Sequence, residues 1–172
     1  LFRSRVMGDL TLCLNGKTLK NTASNTRVIH IDGGTLNLTD CGGTGTITGG
    51  NITDRGGGVY NQGTFAMYGG KISGNTAKDG GGVFALGNGF IMYGGEISNN
   101  TATYNGGGVY NARLNTIIAG GSIINNTAND RPSGGICINQ PITLSGKPVI
   151  SGNKYGSNDG YFDIYKNYTA IL

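Results

Sequence analysis

Gly56-Gly57-Gly58-Val59-Tyr60-Asn61 returns as Gly80-Gly81-Gly82-Val83-Phe84 and again as Gly106-Gly107-Gly108-Val109-Tyr110-Asn111. Each copy is followed by a Gly-Gly-x-Ile element and then by Asn-Thr-Ala. Starts at 56, 80 and 106 give periods of 24 and 26, and a degenerate copy, Ser133-Gly134-Gly135-Ile136-Cys137, begins 27 residues after the third. A unit repeating at this length is one turn of a solenoid, because it cannot bury its apolar face alone and must stack on its neighbours.

Within each unit the apolar residues alternate with polar ones, the two-residue period of a half-buried strand. Val59, Phe65 with Met67, and Ile72 form one such set, and Val83, Phe90 with Met92, and Ile97 form the next. Gly63 and Gly69-Gly70 separate the members of the first set, so each unit holds three short strands divided by turns. The pattern predicts an all-β fold, a parallel β-helix with about 24–27 residues per coil and three strands per coil. Spread over 172 residues, that makes about seven coils and a rod about 35 Å long. The recurrent Asn75, Asn100, Asn126 and Asn153 are expected to form an inward amide ladder along the axis, satisfying backbone groups of the turns.

Composition agrees. Thirty-four glycines, no Trp and 3 Pro exclude a helical bundle, since glycine is costly in helices. The glycines do not recur every third residue, which excludes collagen. With 37% hydrophobic and 13% charged residues, the chain is neither a charged disordered tail nor a membrane-inserting segment. The net charge of +4 is spread over 13 basic and 9 acidic residues without a Lys or Arg run, so nucleic acid is not an expected partner.

The chain reads as a single β-helix domain over 1–172. Residues 1–50 form irregular N-terminal coils, residues 51–153 the glycine repeats, and residues 154–172 a last coil or cap. In the first part Thr11–Leu19, Val28–Ile31 and Thr35–Asp40 are three strand-like runs. The last part is aromatic, with Tyr155, Tyr161, Phe162, Tyr165 and Tyr168. The sequence opens without Met and ends on Ile171-Leu172, and a piece of a longer protein is the expectation.

Thr11-Leu12-Cys13-Leu14-Asn15-Gly16-Lys17-Thr18-Leu19, Leu38-Thr39-Asp40-Cys41-Gly42-Gly43-Thr44-Gly45-Thr46-Ile47 and the Gly-Gly-Gly-Val-Tyr-Asn copies resemble the right-handed parallel β-helix regions of large bacterial cell-surface proteins. The resemblance covers about residues 10–153 and implies the right hand and the pectin-lyase-like fold. The Gly-Gly rhythm is similar to that of polymorphic outer-membrane adhesins, although their Phe-x-x-Asn motif does not recur; its absence points to the Gram-positive, repeat-bearing type. The resemblance implies an extracellular, anchored, adhesive protein and no particular ligand.

Residues able to do chemistry are few. A polysaccharide lyase or hydrolase on this scaffold needs clustered carboxylates. Asp54, Asp79 and Asp130 each precede a glycine cluster and are the one column available, interrupted by Asn105; turn formation explains them as well. His30 sits in an alternating strand and reads as an ordinary strand residue. No catalytic triad, metal-ligand spacing or phosphate loop can be assembled, so neither a catalytic residue, a metal nor a cofactor is expected.

Cys13 and Cys41 are 28 residues apart, close to one coil, which places them on adjacent coils, either bonded or as two free thiols. Cys137 occupies the position of Tyr60, Phe84 and Tyr110. If Val59, Val83 and Val109 point inward, then Tyr60, Phe84 and Tyr110 point outward and stack, with Tyr68 and Tyr93 forming a second column. The reverse parity fits the pattern equally well. Exposed aromatic columns suit glycan or protein partners, and cross-strand stacking alone also accounts for them. The expected function is a non-enzymatic, extracellular, adhesin-like module binding a host or environmental glycan or glycoprotein. A polysaccharide lyase or hydrolase and a passive stalk are the alternatives.

Overall fold

The structure, a computed structural model, describes residues 4–166 apart from 114, 132, 157 and 162. Phe162 and Tyr168 of the aromatic C-terminal stretch therefore lie outside the described residues. The chain winds as a right-handed parallel β-solenoid with three strands per coil. The first face stacks Ser4–Val6, Ile29–Ile31, Val59–Asn61, Val83–Ala85, Val109–Asn111, Ile136–Ile138 and Ile164–Lys166. The second stacks Leu10–Cys13, Thr35–Thr39, Thr64–Met67, Gly89–Met92, Thr116–Ile118 and Ile142–Leu144. The third stacks Thr18–Lys20, Thr46–Thr48, Lys71–Ser73, Glu96–Ser98, Ser122–Ile124 and Val149–Ser151.

Seven strands on the first face enclose six coils, one fewer than the sequence length suggests. The rod is correspondingly about 29 Å long. Two causes shorten it. The coil between paired Ile29 and Val59 takes 30 residues, more than the repeat period. At the other end Lys154–Tyr155 pairs antiparallel with Asn158–Tyr161, so those residues fold back before Ile164–Lys166 rejoins the first face.

The strands between residues 4 and 50 pair in parallel with one another and with the strands of the first glycine repeat. Thr11–Leu19, read as one alternating run, is two strands on two faces, divided at Asn15-Gly16, both with positive φ (48° and 72°). Leu12 and Leu14 face the core before the turn and Leu19 faces it after, so the turn moves the inward parity from even to odd positions.

Inward residues stack in columns. Phe65 and Phe90 stack with ring centroids 5.2 Å apart, Met67 pairs with Met92, and Ile47, Ile72, Ile97 and Ile123 form a continuous aliphatic column. Val59, Val83 and Val109 are fully buried, which settles the parity: valine inward, aromatic outward.

The glycine triplets turn the chain from a short fourth sheet (Thr76–Asp79, Thr101–Asn105, Thr127–Ala128, Lys154–Tyr155 and Asn158–Tyr161) into the first face. Gly80 has φ +64°, which a side chain resists, and a Cβ on Gly81 would stand 2.5 Å from the Thr101 carbonyl oxygen. Triplets of successive coils hydrogen-bond directly, Gly81 N–H to Gly106 O at 3.1 Å and Gly82 N–H to Gly107 O at 3.0 Å.

The asparagine ladder forms as the sequence suggests. Asn75, Asn100, Asn126 and Asn153 are fully buried. The backbone N–H and Nδ2 of Asn100 both donate to Asn126 Oδ1 at 3.0 Å, while its Nδ2 also reaches back to Ile72 O at 2.9 Å. Each rung thus bridges three coils. The residues before the rungs, Gly74, Asn99, Asn125 and Gly152, all have positive φ, which aims the next side chain at the axis. The ladder starts at Gly50 N–H, which donates to Asn75 Oδ1, and ends on Asp163 Oδ1, which accepts from Asn153. Among the described residues no buried side-chain nitrogen or oxygen lacks a partner.

Candidate functional site

The outer wall of the first face carries His30, Tyr60, Phe84, Tyr110 and Cys137 in register. Tyr60 and Phe84 stack at 5.5 Å and Phe84 and Tyr110 at 5.0 Å, with His30 edge-on to Tyr60. This column is outward but not open. The corner beside it folds Arg27 over the Tyr60 ring at 4.3 Å and Arg55 over Phe84 at 5.1 Å. Phe84 keeps only 2% of its surface, Tyr60 and Tyr110 are half-buried, and Cys137 is buried, its thiol pushed up to about 12 by desolvation. The column is thus outward but sheltered at Phe84 and half-buried at Tyr60 and Tyr110, with guanidinium groups over the Tyr60 and Phe84 rings. His30 Nε2 meets Gln62 Oε1 at 2.8 Å, as a satisfied strand residue does.

The carboxylates do not gather. Asp79 is in register with Arg55 on one side and Asn105 on the other, and Asn105 Nδ2 donates to Asp79 Oδ1 at 2.9 Å. Asp54 lies one position off, where its carbonyl accepts from the Lys78 N–H and its carboxylate pairs with Arg27 at 3.2 Å. Asp130 is exposed in the following turn. The column of Asp54, Asp79 and Asp130 suggested by their places before the glycines is therefore absent, since the extra residue Arg55 shifts the register by one. Among the described residues no group of three His, Cys, Asp or Glu side chains stands close enough to hold a metal ion.

The outer wall of the second face is half-buried at Asn37, Ile91 and Ile117 and buried at Ala66. One outward row runs Thr11, Asn37, Ala66, Ile91, Ile117 and Thr143. Just beyond the strand ends, Tyr68, Tyr93 and Ala119 succeed one another, held by N–H bonds to Leu38 O, Met67 O and Met92 O, all at 2.8 Å. Tyr68 and Tyr93 are 51% and 49% exposed, with rings stacked 4.8 Å apart and 14° from parallel. The ring spacing equals the coil spacing, so the solenoid itself sets the stack. Ala119, next in the row, carries no ring, so the stack ends at Tyr93.

At the opposite margin of the same face, where the chain enters these strands, lies an open groove of about 560 Å³ lined by Gly87, Asn88, Ala112, Arg113, Asn115 and Gln140. Arg113 is the one charged side chain lining it, and Gln62, Asn88 and Arg113 also line the adjoining hollow. A four-residue strand is about 13 Å long, so amides and rings frame a flat floor of Ala66, Ile91 and Ile117 between them. These groove residues escape the repeat pattern. Gln62, Asn88, Asn115 and Gln140 lie 6, 8, 9 and 7 residues after the starts at 56, 80, 106 and 133, because this corner varies in length from coil to coil.

Cys13 and Cys41 come together on adjacent coils, both exposed and both as free thiols, with the Cys41 N–H donating to Cys13 Sγ at 3.2 Å. Comparison of the chain with protein-family models, with curated proteins and with solved structures found no match.

Proposed function

We propose that this chain is a non-enzymatic, extracellular binding module of adhesin type on a bacterial surface, and that its second face takes a glycan or glycoprotein. The observation that carries the reading is the exposed Tyr68–Tyr93 stack, which no ring continues at Ala119. A sugar ring presents an apolar C–H face and a rim of hydroxyls. The first suits the half-exposed Tyr93 ring, and the second needs donors and acceptors in one place. Asn88, Asn115 and Gln140 supply both across the floor of the same face. The site is preformed on a rigid ladder, so binding orders little of the chain.

The test is a glycan and glycoprotein binding screen with the intact chain, followed by affinity measurement for the Tyr68→Ala/Tyr93→Ala variant. Both side chains are half-exposed, so the fold should stay intact by circular dichroism while affinity falls at least about 10-fold. Undiminished affinity in the double variant overturns the proposed site. Binding to nothing in the screen leaves the rod as a stalk, and release of unsaturated sugars makes it a lyase.

A further inference from the structure

Cys13 ends the first strand of the second face and points outward, since its neighbours Leu12 and Leu14 pack inward. Its register partner on the next coil is Thr39, and Cys41 follows two residues later in the corner Asp40–Gly45. Asp40 shapes that corner. Its carboxylate accepts from the N–H groups of Gly16 at 2.7 Å, Gly45 at 2.6 Å and Gly42 at 3.3 Å, which ties the corner to the Asn15-Gly16 turn of the first coil. The clasp brings the Cys41 N–H onto Cys13 Sγ. The two thiols are therefore both accessible and in hydrogen-bonding reach, on adjacent coils, at an end of the rod where Leu10 remains 44% exposed.

We infer that Cys13 and Cys41 are a reversible dithiol site, in which Cys13 attacks a low-molecular-weight disulfide and Cys41 resolves the adduct into a bond across the first two coils. The asymmetry is geometric. Cys13 sulfur accepts hydrogen bonds from Cys41, which favours its thiolate, while Cys41 stands next to Cys13 and the Asp40 carboxylate, which disfavour a second negative charge. The side-chain hydrogen bond with Cys41 accordingly lowers the Cys13 titration from its ordinary value, and the same contact raises that of Cys41.

The steps balance. The Cys13 thiolate forms a bond to one sulfur of the disulfide RSSR, whose S–S bond breaks and releases RS⁻. Cys41 then gives its proton to water, and its sulfur attacks Cys13 Sγ and expels the second RS⁻. Two protein thiols are oxidised, and one RSSR is reduced to two RSH. The new bond closes a loop from 13 to 41 and joins the first described coil to the second. Cys137 takes no part, since it is buried and its thiol is pushed up to about 12.

The experiment treats the native chain with oxidised glutathione at neutral pH, quenches with acid, alkylates, and maps peptides without reductant. The expected map links Cys13 to Cys41 and leaves Cys137 alkylated only after denaturation. Cys41→Ser should hold glutathione on Cys13 as a stable mixed disulfide, and Cys13→Ser should react at least about 10-fold more slowly. In the oxidised wild type, amide exchange over residues 4–20 should slow on the order of 100-fold and recover on adding dithiothreitol. A wild-type map showing glutathione retained on Cys13 beside a free Cys41, or faster reaction of Cys41 than of Cys13 in the single variants, overturns the proposal. Both variants are exposed serine substitutions, and the wild-type map stands without them.

Discussion

The first coil and the middle coils turn the same corner, between the third face and the first, by different side-chain means. In the first coil the corner Asn21–Val28 is closed locally: Asn21 Oδ1 accepts from Ala23 N–H at 3.1 Å, Asn21 Nδ2 donates to Thr26 O at 3.1 Å, and Thr26 Oγ1 donates to Ala23 O at 3.0 Å. From Asn75 onward the corner is closed along the axis, each buried amide bonding to the coils before and after it. Local closure tolerates any sequence that makes one turn. Axial closure demands the same residue at the same place in every coil, which is why the middle of the chain repeats visibly and the first part does not.

The comparison can be broken at a rung. Asn100→Ala removes the acceptor of the Asn75 N–H and the donor to Ile72 O, leaving buried groups without partners on the preceding coil. The expected cost is about 3–5 kcal/mol, read as a lowered urea midpoint with loss of amide protection from residue 72 to residue 126. Protection lost only within residues 98–102 would mean that the ladder does not couple coils. The counterpart is Asn21→Ala, which breaks bonds confined to residues 21–26. About 1 kcal/mol is expected, with exchange quickening in that corner and the urea midpoint of the middle coils unmoved.

The smallest effect concerns Asp40, the clasp between the first two coils. Hydrogen bonds from Gly16, then Gly45, Gly42 and Gly43, overcome desolvation and hold its carboxyl below the usual carboxylate range. A depressed folded-state pKa contributes stability that is present above the unfolded value and disappears as pH falls through the folded one. Amides of Gly16 and Gly45 should stay protected as pH falls through the ordinary carboxylate range and lose protection only below it, and Asp40→Asn should show the loosened corner already at neutral pH. Protection independent of pH in the wild type would remove Asp40 from the clasp.

How much of the candidate site was legible follows the same division. Tyr68 and Tyr93 are one coil apart, so the repeat alone places one ring above the other. The sheltering of Phe84 was not legible, because Arg55 reaches it from a corner whose length differs between coils. Nor was the groove: Asn88, Asn115 and Gln140 share a margin, yet no constant offset marks them. Ala119 carries meaning only once Tyr93 is known to be stacked on Tyr68 and half-exposed. The misaligned Asp54 and Asp79 show the same limit, since one added residue at a corner moves a carboxylate out of its column.

The sequence by itself determined the neighbours along the axis: the solenoid, the columns of residues one coil apart, the asparagine ladder, and the one-coil separation of Cys13 and Cys41, while the inward or outward parity of the valine and aromatic columns waited for the structure. A period converts separation in sequence into separation in space, so residues one coil apart must meet about 4.8 Å away. Only the tertiary structure decided the neighbours around the axis, where Arg27 and Arg55 cover one aromatic column and leave the other exposed, and where amides and rings come to frame one face. Those meetings depend on the angle and length of each corner, and corners are set residue by residue by backbone conformations that no repeat enforces.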